Sequence, residues 1–325
     1  MLSVNSPGPY DAPMKPLRTF DELPEVPGLG MRHAWGEFGP DDALGSINLL
    51  TPERVVGGAA LIRTGEMISL DLPLNLPDPP MFGRQRYRHE IFALSRNEMD
   101  DRLDGFHPQA STQWDALGHV RCREHGFWGG RTQDPTAGPN GLGIDRWAEH
   151  GIAGRGVLLD ISGWMRAQGR PLDPFRPVMI TADELAGALR AQNEALTPAD
   201  ILCVHTGWVD AYKALAQDGR ERLAKTPSSC GLRADEAMAR FLWDAHIGAL
   251  CCDNPAVEAI PGDPAVGSLH RRLLPLLGLA LGEFFDFERL TQRCRAIGRW
   301  SFFFVAAPLK LPNGIGSPGN ALAIL

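Results

Sequence analysis

Short apolar runs of strand length alternate with helix-length segments through the second half of this chain, and that alternation most restricts its fold. Residues 156–162, 201–207, 247–252 and 300–306 read as short apolar strands. Between the first two, Thr181-Ala-Asp-Glu184 has the form of a capping box. Thr181 is the N-cap and Glu184 the third helical residue, opening a helix to about Gln192. Ala237, Met238, Phe241, Leu242 and Ala245 recur at helical spacing over 235–245, and 269–277 also reads as helix. Strands alternating with helices define an α/β class.

The first part of the chain is less regular. Thr51 is an N-cap with Pro52 at the first helical position, predicting a helix over 52–64. Residues 67–74 alternate as a strand through Ile68, Leu70, Leu72 and Leu74. Pro73 confines that strand to a sheet edge, and Pro77, Pro79 and Pro80 end it. Residues 1–30 are rich in proline and glycine and read as an extended N-terminal arm. The arm carries Leu17, Phe20, Leu23 and Val26, which are better buried than exposed, so it is expected to pack on its own domain or a second subunit. No internal repeat or low-complexity linker divides 31–325, which is read as one domain.

Composition excludes several classes. A net charge of −7 over 325 residues argues against nucleic-acid binding, which needs a basic surface. No apolar run approaches the roughly 18–20 residues a membrane span requires, and the N-terminus lacks the basic and apolar regions of a signal peptide. A cytoplasmic location is therefore expected. The six cysteines have no CxxC spacing and read as reduced thiols, with Cys203 and Cys251 as small buried hydrophobes. GxSxG, Walker A and HExxH motifs are all missing. The glycine-rich 126–130 stretch lacks the strand and helix context of a dinucleotide site and reads as a loop over the pocket.

Residues 109–119, Gln-Ala-Ser-Thr-Gln-Trp-Asp-Ala-Leu-Gly-His, gather the strongest chemical signal. Asp115 and His119 could converge on one ion from a loop or strand edge, or share a face as an i, i+4 helical pair. The bland alternative is that they cap a turn, with Thr112, Gln113 and Trp114 in a half-buried strand.

This segment resembles the signature of the cyclase family of metal-dependent hydrolases, which includes bacterial kynurenine formamidase, isatin hydrolase and trans-dienelactone hydrolase. That signature is written His-x-Gly-Thr-His-x-Asp-Ala-x-x-His. Thr112, Asp115, Ala116 and His119 match it, Ser111 stands where glycine is usual, and Gln109 and Gln113 replace the two leading histidines. Residues 35–53 resemble the same family. The resemblance implies a swivelling β/β/α fold, a central sheet or barrel flanked by helices. It also implies that Asp115 binds metal, that His119 is the general acid/base, and that a downstream His and Glu complete the cluster. In residues 268–283 those are His270 and Glu283, with Gly278 five residues before the glutamate. The spacing from His270 to Gly278 is one residue longer than the usual pattern.

Glutamine is a weak, neutral ligand beside imidazole. The resemblance therefore implies one divalent ion per chain, zinc or manganese, on Asp115, His270 and Glu283. Gln109 and Gln113 are then substrate or weak metal contacts; a metal-free site in which both bind substrate is the alternative. Asp253 falls where the family carries an aspartate near the pocket, which implies a substrate or weak metal contact; a structural turn residue is the equal alternative. Trp114 and Phe127 or Trp128 could stack on an aromatic substrate. His107 lines the pocket or the surface, and His205, in an apolar strand, reads as a satisfied core histidine. The expected activity is hydrolysis of a small cyclic or aromatic amide or lactam, arylformamidase-like, as in tryptophan catabolism (N-formylkynurenine or a related compound). Lactone hydrolysis is the alternative within enzymes, and a non-catalytic small-molecule binder the alternative outside them. A homodimer or homotetramer with the arm at or near the interface is expected, with no nucleic-acid or membrane partner.

Overall fold

The computed structural model describes residues 16–136, 138 and 141–325. Its centre is a curled, half-barrel sheet of nine strands flanked by helices, the α/β cyclase-like arrangement expected. In spatial order the strands are Met67–Ser69, Ala321–Ile324, Ser301–Ala306, Ile152–Leu159, Ile201–Val204, Ala249–Cys252, Ala280–Glu283, Gln113–Asp115 and Gly316–Pro318. The four from Ile152–Leu159 to Ala280–Glu283 run parallel. Every residue of Ile201–Val204 and Ala249–Cys252 is fully buried. Parallel strands buried on both faces need such unbroken apolar runs, which is why these two are legible.

The helix Ala182–Ala191 starts on the expected capping box, and Glu236–Asp244 is capped by the Asp235 side chain. Other boundaries differ for identifiable reasons. The strand expected over 156–162 is Ile152–Leu159. Asp160 instead accepts from Gly163 N at 3.0 Å and caps the helix Ile161–Ala167, because an aspartate is better placed at a helix start than inside a buried strand. The helix expected over 52–64 ends at Ala59. The strand expected over 67–74 pairs only through Met67–Ser69, at the sheet edge, because Leu72 N turns away to bond Thr112 and Pro73 has no N–H to give. The segment 269–277 divides into an α turn, Leu269–Arg272, and a π turn, Leu273–Leu277. A π turn carries more residues than an α turn, a physical means of accommodating one extra residue before Gly278 while His270 still faces Glu283.

Several elements were not legible. The hairpin Arg88–Ser95 with Glu98–Asp104 is solvent-exposed on both faces, with Ile91, Leu94 and Met99 all more than 60% exposed, so it has no hydrophobic alternation. The helices Trp208–Ala214, Gln217–Lys225 and Glu288–Ile297 were also missed.

Residues 1–15 of the arm lie outside the described residues. From Arg18 onward the arm lies on the chain's own core: Phe20, Leu23 and Val26 are buried, and Phe20 N donates to Asp244 while Trp243 Nε1 donates to Arg18 O. All six cysteines are free and buried. No helix among the described residues is long and apolar enough to cross a membrane.

His205 follows the strand Ile201–Val204 and is a core histidine, as expected. Its ring bonds Asp160 Oδ1 at 3.3 Å and Asp210 Oδ2 at 3.0 Å. Burial works against its charge, but these two carboxylates and the nearby Asp253 outweigh it and raise the imidazole to about 10. Removing one member of a buried ionic group costs roughly 3–5 kcal/mol, so His205→Gln should be strongly destabilising at neutral pH. The folded value lies above the ordinary 6.5. The stabilisation is therefore complete below about pH 6.5 and lost as pH rises through about 10. Denaturant unfolding of both proteins from pH 6 to pH 10 should show their difference shrinking toward the alkaline end.

Candidate functional site

The strand Gln113–Asp115 lies between Ala280–Glu283 and Gly316–Pro318, antiparallel to both. Successive strand residues face opposite ways, so Gln113 and Asp115 share one face and Trp114 takes the other. Trp114 is fully buried, donates Nε1–H to Gly319 O at 2.9 Å, and meets Trp147, Phe285 and Phe304 edge to face. The expectation that Trp114 contacts substrate is thus corrected: the pleat that aims Asp115 at the site aims Trp114 into the core.

Register then assembles the cluster. Glu283 is the cross-strand partner of Gln113, and the Gln113 amide donates to the Glu283 carboxylate. Asp115 accepts from the Gln109 amide. Gly316 sits opposite Asp115, and a Cβ there would lie 2.5 Å from Gln109 Cγ, so only glycine leaves room for Gln109 to reach the carboxylate. After Asp115 the chain turns, and His119 returns its Nε2 to 3.9 Å from Asp115 Oδ2 with Nδ1 3.3 Å from the Gln109 amide nitrogen.

His270 comes from the helix Leu269–Arg272. Its Nε2 is 3.0 Å from Glu283 Oε1 and 3.5 Å from Asp115 Oδ2. Glu258, which no motif singles out, orients it. The Glu258 carboxylate accepts from His270 N at 3.0 Å and Ser268 Oγ at 3.1 Å, and lies 3.6 Å from His270 Nδ1. A carboxylate behind the far ring nitrogen is the usual way a ligating histidine is oriented. No spacing rule links Glu258 to His270, so only the fold could reveal the pair.

The electrostatics follow from burial. For Asp115, burial favours the neutral acid, but His119, His270 and the Gln109 amide together hold the carboxyl down at about 2. For Glu283, burial and then the negative charge of Asp115 raise the carboxyl to about 7 against His270 and Arg84. Burial opposes charge on His270 too, yet Asp115, Glu258 and Glu283 push its imidazole well above the ordinary value. Three carboxylates around one imidazole is a site short of positive charge.

Two observations bear on a cation. Asp115, His270 and Glu283 each offer a ligand atom, all within 4.8 Å of one another. Asp115 Oδ2 and Gln113 Oε1 are buried without a hydrogen-bond partner, which normally costs about 1–3 kcal/mol or more. One nitrogen and two carboxylate oxygens suit a divalent ion such as zinc or manganese, so the residues present fit one.

Two further expectations need correction. Asp253 is fully buried and accepts from Thr206 N, Thr206 Oγ1, Gly207 N and Trp208 N, so it caps the helix Trp208–Ala214 instead of meeting a substrate. Trp128 is unavailable for stacking: it is buried against Gly278 and donates to Asp42, so the 126–130 stretch is packed instead of hanging over a pocket. Phe127 is half-buried beneath Arg121. His107 is exposed and lines a cavity of about 330 Å³ next to Ala110.

The signature also stitches the site together. Thr112 Oγ1 accepts from Leu72 N at 2.8 Å and donates to Phe284 O at 2.6 Å, tying the edge segment to the residue after Glu283. Thr112→Val keeps the shape but leaves both buried backbone groups unsatisfied. It should destabilise the fold by roughly 2–4 kcal/mol, measured by denaturant unfolding.

A family model described as putative cyclase matches residues 68–259, more than half of the chain. A solved structure described as a novel cyclase is 32% identical with a TM-score of 0.79, covering 90% of this chain and 99% of that one. Isatin hydrolase A from Labrenzia aggregata, bound to benzyl benzoate, is 19% identical with a TM-score of 0.58, covering 83% and 97%. An isatin hydrolase bound to the product analogue thioisatinate is 17% identical with a TM-score of 0.54, covering 85% and 99%. These two share the fold. No curated protein matches the chain significantly.

Proposed function

Because the chain belongs to the cyclase family, we propose that it is a metal-dependent hydrolase of small cyclic or aromatic amides or lactams, an arylformamidase-like activity. The observation that carries this reading is the buried trio Asp115, His270 and Glu283 with an unpartnered Asp115 oxygen among them. These three residues would hold one divalent ion. When bound, the ion would supply Lewis acidity, making water more acidic and the substrate carbonyl more electrophilic.

The chain's own residues supply the rest. His119 is half-buried, beside the cluster and outside the trio, where it can exchange protons with solvent. It takes a proton from water as the new C–O bond forms and returns it to the leaving nitrogen as the C–N bond breaks. Glu258 keeps His270 in its ligating orientation, and Gln113 holds the Glu283 carboxylate. The same arrangement would serve a lactone, with oxygen as the leaving atom. A non-catalytic binder is the competing reading, supported by the amides of Gln109 and Gln113 already donating to Asp115 and Glu283.

The metal is tested by calorimetry with zinc and manganese. One ion per chain is expected, with binding abolished in Asp115→Ala and weakened at low pH as His270 retains its proton. Failure of both metals to bind, with full activity in a chelator, would overturn the metal-dependent reading. Turnover on N-formylkynurenine, isatin and dienelactones separates the amide, lactam and lactone options, and no turnover on any favours the binder. His119→Ala should lower turnover roughly 10²–10⁴-fold while leaving metal stoichiometry unchanged. Near wild-type rates would make His119 structural.

A further inference from the structure

The hairpin over residues 88–104 is bonded to no other described segment of the chain. Its hydrogen bonds and ion pairs all stay inside it: Glu90 with Arg88 and Arg102, His89 with Asp101, Ser95 with Glu98. Tyr87 and Phe106, edge to face, close its base. A two-stranded hairpin standing alone is marginally stable in water, so this one gains from a cover.

Its two edges differ in chemistry. The strand Glu98–Asp104 has charges at five of its seven positions, the usual protection of a strand edge. The strand Arg88–Ser95 instead carries four apolar residues in a row, Ile91-Phe92-Ala93-Leu94, and Ile91 and Leu94 are more than 60% exposed. An exposed apolar edge of this kind is a template for another strand.

The Arg88–Ser95 edge is complementary to itself. About a two-fold axis at Ile91, an antiparallel pair sets Ile91 against its own copy, Glu90 against the partner's Phe92 and His89 against the partner's Ala93. Arg88 then meets the partner's Leu94, and no like charges stand opposite. The other edge fails this requirement. An axis at its middle residue sets Asp101 against itself and Glu98 against Asp104, and like charges oppose pairing.

Area decides how far the contact extends. Eight residues of strand span only about 26 Å, and pairing of one edge hides less than the roughly 800 Å² per partner of a stable interface. The same axis lays each hairpin tip over the base of the other. There Tyr87 and His89 line the cavity of about 330 Å³ with Leu74, Pro77 and Pro80, an apolar surface on which the tip can rest. The N-terminal arm has less to offer a partner, because Phe20, Leu23 and Val26 are already buried on their own core.

We propose that the chain forms a two-fold dimer through its Arg88–Ser95 edges, making one four-stranded sheet, and that each hairpin tip caps the partner's cavity. The cavity adjoins Ala110, next to Gln109 of the cluster, so its full wall exists only in the dimer.

Light scattering and sedimentation of the full chain at micromolar concentration should give a dimer. A monomer overturns the proposal, whatever else covers the hairpin, and so does an open-ended series of larger species. Ile91→Lys sets two charges face to face on the axis and should weaken association roughly 100-fold or more. Met99→Lys, on the outer strand, should leave it nearly unchanged; the reverse pattern overturns edge pairing. Opposite residues of an antiparallel pair have Cα atoms roughly 4.5–5.5 Å apart, within reach of a disulfide. Ile91→Cys should therefore give a covalent dimer on oxidation with copper phenanthroline, and Met99→Cys should not. The six native cysteines are buried and do not compete. Should Ile91→Lys not fold, this cross-link decides alone, and its absence overturns the proposal. His89→Cys with Ala93→Cys reads the capping register. Within one chain the two lie about 13 Å apart along the strand, so they can link only between copies, and no link overturns the capping of the cavity.

Discussion

Three residues in one short strand, Gln113-Trp114-Asp115, hold the structure and its site together. The pleat gives them opposite duties. Trp114 is locked among Trp147, Phe285 and Phe304 in the core, and this fixes the strand against rotation or slippage. Gln113 and Asp115 are then forced to the other face, where Glu283 stands opposite Gln113 by register. A one-residue slip would exchange these faces, burying two polar groups in the apolar core and removing the carboxylate from the cluster. Core packing and site geometry are here one constraint.

The charge balance of the cluster is the second constraint. Asp115, Glu258 and Glu283 surround His270, and two neutral amides, Gln109 and Gln113, donate to the first and last of them. Amides relieve carboxylates by hydrogen bonding without adding charge. The remaining deficit falls on His270, on the more distant Arg84 and on any cation that binds. An imidazole at either glutamine position would offer a stronger donor nitrogen to a metal, which is the reason the proposed site is a single ion on Asp115, His270 and Glu283.

A comparable buried network, remote from the cluster in its role, surrounds His205. Asp253 caps the Trp208–Ala214 helix through four donors while Asp160 and Asp210 clamp the ring. The two histidines illustrate how similar surroundings serve different ends. His205 has each ring nitrogen in a hydrogen bond and anchors a strand end. His270 turns Nε2 toward Glu283 and Asp115, and the ligand atoms of these three residues lie within 4.8 Å of one another, the convergence a divalent ion needs.

The sequence by itself determined the α/β class, the apolar strands at 201 and 247, the capped helix after Thr181, and the dense polar motif of Asp115 and His119, while His270 and Glu283 stood out only through the family resemblance. Those features are local: unbroken apolar runs, cap residues at fixed offsets and a dense polar motif are properties of neighbouring residues in the chain. What only the tertiary structure decided is long-range. Glu258 reaches His270 through a turn, and Gln113 meets Glu283 across 170 positions. The same holds for the corrections. Trp114 and Trp128 are aromatic residues next to a site, and nothing local says whether such a ring faces a ligand or the core. Asp253 is an aspartate whose oxygens are spent on Thr206 N and Oγ1, Gly207 N and Trp208 N, at the start of a helix some 45 residues earlier. Direction and partner are set by strand register and packing, which act between segments far apart in sequence, and no local pattern encodes them.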